Sequence, residues 1–147
     1  MLSGLLLGPV YGTAAVFIFI ILGSLGLPVF SGKAGIHVIL SGPSGGFIIG
    51  YLLAALAGGL LLRILLPSNT EIPQKKQWVF ISLAAIAATV VTFAMGIAGF
   101  MRVTGKDLGA SVPLVLLPFV PGNTIKLFMM IFLTKKFRPV ISNYLSK

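Results

Sequence analysis

Cysteine is absent from this chain of 147 residues, which excludes disulfides, thiolate metal sites and cysteine nucleophiles. Carboxylates are almost absent: Glu71 and Asp107 are the only two, both in polar connectors, so no acid pair exists for general acid–base catalysis. The single histidine, His37, cannot make a two-histidine metal site. Gly32-Lys33-Ala34 and Gly105-Lys106-Asp107 lack the upstream glycine and the Ser or Thr of a phosphate-binding loop. No nucleotide site and no cofactor are therefore expected, and nothing reads as hydrolysis or as an enzyme.

Charge as a whole is scarce. It amounts to 9% of residues, against roughly 25% in soluble domains, while 57% are hydrophobic and the mean hydropathy is +1.10. So few charges cannot cover a soluble surface, and the composition defines an all-α protein embedded in a bilayer. Eleven Lys and Arg give a net charge of +9. They sit between or at the ends of apolar segments, which is the pattern of membrane topology rather than of nucleic-acid binding. The first positive charge is Lys33, so the charged n-region of a cleavable signal is not seen.

Apolar stretches divide the chain into one membrane domain, residues 1–147, with spans predicted over 11–26, 47–66, 78–101 and 122–137. As a helix, the second of these is about 30 Å long, the thickness of the hydrocarbon core. Leu2 to Leu7, followed by Gly8-Pro9, reads as the stub of an earlier helix. The connector over 102–120 contains Pro113 and Pro118 and reads as an outer loop. Arg63, Lys75, Lys76, Lys135, Lys136, Arg138 and Lys147 fall on one side of this topology; Lys33, Arg102 and Lys106 fall on the other. That excess places the C-terminus in the cytoplasm, with the basic tail as an anchor beside anionic membrane lipid.

Small residues recur four apart at Gly46, Gly50, Ala54 and Gly58, and again at Ala84, Ala88, Thr92 and Gly96. Such stripes let backbones approach closely, either within the chain or against a partner subunit. The segment Pro118-Phe-Val-Pro-Gly-Asn-Thr-Ile-Lys126 carries the chemistry. Asn123 lies in the first turn of a helix, and Lys126 follows three residues on, on the same face. Amide, ammonium and helix dipole then converge near the outer surface, on a small ligand with a carboxylate and an amide-like ring. The plainer alternative is that Asn123 caps the helix and Lys126 reaches for the interface. The glycines of Ser41-Gly-Pro-Ser-Gly45-Gly46 either make a tight turn or bring backbone to a ligand, with Phe47 as an apolar wall. His37 and Lys33 read as solvated loop residues.

Gly4-Leu-Leu-Leu-Gly-Pro9, Gly26-Leu-Pro-Val-Phe-Ser-Gly32, Gly42-Pro-Ser-Gly-Gly-Phe-Ile-Ile-Gly50 and Pro118-Phe-Val-Pro-Gly-Asn-Thr-Ile-Lys126 occur in that order. Together they resemble the BioY family, the biotin-specific substrate-binding (S) components of energy-coupling factor (ECF) vitamin transporters. The resemblance covers essentially the whole chain. It implies an S-component bundle in the bacterial plasma membrane that captures biotin from outside and topples to release it inward. It also implies two kinds of partner, a transmembrane coupling subunit and two ATP-binding cassette ATPases. It assigns ligand contacts to Asn123 and Lys126, and on that basis Phe30, Gly45, Gly46 and Phe47 join the candidate site. The family has six membrane helices, so four spans and a stub imply that about one and a half helices are missing at the N-terminus. Asp commonly stands at the position of Asn123, and Tyr at that of Phe47. The Asn leaves Lys126 less compensated and favours an anionic ligand there. From the residues alone, a stand-alone secondary transporter of another small carboxylate and a truncated, non-transporting scaffold remain open.

Overall fold

The computed structural model describes residues 1–30, 32–67 and 72–145. Ser31, the connector residues 68–71 that include Glu71, and Lys147 lie outside them. The described helices are α1 (Leu2–Ser24), α2 (His37–Leu40), α3 (Gly45–Leu65), α4 (Gln74–Thr104) and α5 (Leu108–Leu145). α1, α3 and α4 are each long and apolar enough to cross a membrane. α5 is bent by 61° between Leu108–Phe119 and Gly122–Ile141, and makes a fourth span if the two parts act together. The protein is all-helical, as its composition requires.

The stub and the first span are one helix with a break in it. Gly8 has φ 79° and ψ −180°, and Pro9 starts the second part. In a straight helix, residues nine apart are about 13 Å from each other. Here the Ser3 hydroxyl donates to the Gly12 carbonyl at 3.2 Å, so the chain doubles back on itself. Only glycine adopts that combination of angles readily. A Cβ on Gly8 meets nothing within 4 Å, so crowding plays no part. Gly8→Ala should therefore cost about 1–3 kcal/mol of stability through backbone strain alone. The check is a lower melting temperature in detergent, with unchanged helix content by circular dichroism.

Residues 102–120, expected as a loop, are helical from Leu108 onward. Proline breaks helices in water, but membrane helices tolerate it because neighbours re-satisfy the freed backbone groups. Pro113 is carried inside α5, and the bend falls just after Pro118. The third span likewise extends beyond 78–101 at both ends, from Gln74 to Thr104.

The two small-residue stripes face each other. A Cβ on Gly46 would run into the Met95 carbonyl and come within 2.8 Å of the Gly99 Cα. One on Gly58 would stand 3.1 Å from the Ala88 Cβ. Ala54, Ala84, Ala88, Thr92 and Gly96 are all buried. The stripes are thus a seam between α3 and α4 and not a free docking face. A second seam joins α3 to the N-terminal hairpin, where a Cβ on Gly59 would lie 2.8 Å from the Pro9 Cα. Leu5, Leu62, Ile81 and Met130 fill the core between these helices and α5. Most other large apolar side chains point outward, as they do in a lipid-facing bundle.

Candidate functional site

The bend in α5 creates the site. Pro121 has no N–H, so the Leu117 carbonyl loses its ordinary helical donor. Two residues further on, the Asn123 side chain intervenes: its amide Nδ2 donates to the Phe119 carbonyl at 2.8 Å, across the break. One Asn123 N–H is therefore committed to the backbone, while the carbonyl Oδ1 and the second N–H remain available.

Beside the break lies a cavity of about 460 Å³, lined by Asn123, Lys126 and Met130 of α5, Tyr51 of α3, Thr89 of α4 and Leu2 of α1. Its size falls within the range of about 300–1,000 Å³ usual for small-molecule sites. Further leucine and methionine side chains complete an otherwise apolar wall. Asn123 is half-buried and Lys126 exposed on its open side. Lys126 forms no ion pair with any described residue. Among the described residues, no group of three potential metal ligands is present.

The depth of the site follows from helix register. The Lys135 ammonium donates to the Gln77 side-chain carbonyl, which aligns α4 and α5 in antiparallel fashion. Twelve residues from Gln77 along α4 is Thr89, and twelve residues back from Lys135 along α5 is Asn123. The two are level, and both line the cavity. Thr89 is the central residue of α4 (Gln74–Thr104). Thr89 and Asn123 therefore lie halfway along α4.

The other candidate residues sit elsewhere. Phe30 is buried against Val38 and Ile48, edge-on to Phe19 at 5.7 Å, over the space left open by Gly23. Gly45 abuts the Ile39 carbonyl, and Gly46 belongs to the α3–α4 seam. Phe47 lies over Gly96, edge-on to Phe93 at 6.2 Å and tilted against Phe119 at 5.7 Å. The structure thus brings Asn123 and Lys126 together at the cavity, whereas Phe47 packs on Phe119, whose carbonyl accepts from Asn123. Tyr51 and Thr89 escaped sequence reading. Hydroxyls inside apolar spans are common in membrane helices, so neither residue stands out from its own segment.

A helical membrane bundle with a broken helix and a cavity beside the break has the architecture of a membrane transport component. The comparisons agree. The BioY family model matches residues 1–143, and the chain belongs to that family. It is 31% identical over 126 residues to the biotin transporter BioY of Thermotoga maritima, an alignment covering 86% of this chain and 68% of that protein. It is 35% identical over 139 residues to the biotin transporter BioY of Rhodobacter capsulatus, covering 86% and 67%. A crystal structure of the S-component for biotin from an ECF-type ABC transporter superposes with a TM-score of 0.80 at 28% identity. That superposition covers 94% of this chain and 70% of the other.

Proposed function

We propose that this chain is the biotin-binding membrane component of an ECF-type uptake transporter, energised by a coupling subunit and two ATPases in separate polypeptides. The observation that carries the reading is Lys126, which forms no ion pair with any described residue, beside a largely apolar cavity halfway along α4. An ionisable group there is costly unless it serves a ligand or a relay. A relay needs further titratable groups, and the two carboxylates of the sequence both lie in connectors. A ligand carboxylate is the simplest complement to the ammonium, and the Leu- and Met-lined wall suits a hydrocarbon chain and a thioether ring.

The orientation belongs to the same proposal. Lys75, Lys76, Lys135, Lys136 and Arg138 gather at the end of the bundle where Gln77 meets Lys135. Arg102, Lys106 and Lys33 occupy the other. The richer end faces the cytoplasm of a bacterial cell.

The test is titration calorimetry of the purified protein in detergent with biotin, beside Asn123→Ala. The substitution removes one ligand hydrogen bond and uncovers the Phe119 carbonyl, so affinity should fall by about tenfold. Absence of biotin binding to the unaltered protein would overturn the reading.

A further inference from the structure

At one end of the seam between α3 and α4 lies a groove. Gly46 and Gly99 meet there backbone to backbone, and a Cβ on Gly99 would lie 2.5 Å from the Gly46 Cα. Two residues without side chains leave space beside their contact that neither helix fills. The groove measures about 210 Å³; Ile49, Met95 and Ala98 give it apolar walls, and Ile39 and Leu40 of α2 add another. Leu40, Ile49 and Ala98 are exposed, so the groove opens on the outside of the bundle.

The same groove is lined by a cation, Arg102. Met95 and Arg102 are seven residues apart on α4, about 10 Å along its axis. Residues 77–101 carry no charge, and Arg102 is the first charge after them. As a helix that uncharged stretch is about 38 Å long, enough to cross a hydrocarbon core of about 30 Å. The groove therefore runs from inside the apolar span to a guanidinium at its edge. Arg102 is exposed and makes no ion pair with any described residue. Lys33 and Lys106 share its end of the bundle, against a single carboxylate, Asp107. A second cavity, of about 330 Å³, meets the groove at Gly42 and is polar, with Lys33, His37, Ser41 and Ser44 on its walls.

We propose that this groove binds an anionic phospholipid, with one acyl chain along Ile49, Met95 and Ala98 and the phosphate on Arg102. Size and charge select that occupant. A partner helix is about 10–12 Å across and does not enter so small a groove, whereas a single hydrocarbon chain does. A guanidinium pairs with phosphate oxygens through two parallel N–H donors, and basic pockets between membrane helices hold lipid headgroups in this way. The polar cavity beyond Gly42 gives the rest of the headgroup room and hydroxyl partners. None of the groove residues lines the cavity beside Asn123, so the proposal stands apart from the biotin reading.

The experiment is native mass spectrometry of the full chain, released from detergent micelles doped with equal amounts of dioleoyl phosphatidylglycerol and dioleoyl phosphatidylcholine. The unaltered protein should retain the anionic lipid over the zwitterionic one by about five- to tenfold. Arg102→Gln should remove most of that preference. Lys106→Gln makes the same change in net charge outside the groove and should keep it. Ala98→Leu fills the groove from an exposed position, and should reduce retention of both lipids while leaving their ratio unchanged. Equal retention of the two lipids by the unaltered protein overturns the proposal. So does an equal loss of preference in Arg102→Gln and Lys106→Gln, which would mean general attraction to a basic surface. Full retention of both lipids by Ala98→Leu places the acyl chain elsewhere and overturns it as well.

Discussion

Lys126→Met should weaken biotin binding by roughly 10- to 150-fold, the range for losing a hydrogen bond to a charged group. Methionine matches the length of the lysine stem, so the apolar contacts of the side chain survive and the loss reports the ammonium. Lys126 makes no ion pair with described residues, and its removal leaves no buried partner charge behind. The melting temperature without ligand should therefore stay within a degree or two, while the rise on adding saturating biotin should largely disappear. The methyl ester of biotin should bind the variant and the unaltered protein about equally. A variant that still favours the free acid by its original margin places the carboxylate elsewhere.

Gly46→Ala should have the opposite signature. The added methyl would overlap the Met95 carbonyl and approach the Gly99 Cα, both backbone atoms that cannot rotate aside. α3 and α4 must separate, at a cost of about 3 kcal/mol, the upper end of ordinary overpacking. The melting temperature should drop markedly, and the protein should elute less cleanly as a monodisperse species. The biotin-induced rise should nevertheless remain, because Gly46 serves the seam and not the cavity. A normal melting temperature with no response to biotin would instead put Gly46 in the binding site.

These two substitutions separate what was legible in the sequence from what was not. The membrane class, the helical fold and the pairing of Asn123 with Lys126 came from composition and from i to i+3 spacing, which are local properties. The helical course of residues 108–119 is not legible locally because proline carries a different meaning when lipid replaces water. The glycines of the Gly45–Gly46 pair were ambiguous because close approach to a ligand and close approach to a helix make the same demand on a residue. The positions of Met95, Gly99 and Ile39 show the close approach to neighbouring backbone. Phe30 was inaccessible for a related reason, since the pocket above Gly23 that holds its ring is a tertiary feature. Tyr51 and Thr89 come together only through the α3–α4–α5 register, which no single segment encodes.

The uncompensated ammonium in the middle of the bundle has a further consequence for transport. If Lys126 holds the ligand carboxylate as proposed, the filled site is close to neutral overall and the emptied one keeps the ammonium charge. Displacing one such charge through a potential of 100 mV involves about 2.3 kcal/mol. The inward passage of the filled carrier should thus be nearly indifferent to membrane voltage. In an inside-negative cell, the voltage should instead oppose the outward return of the vacant one.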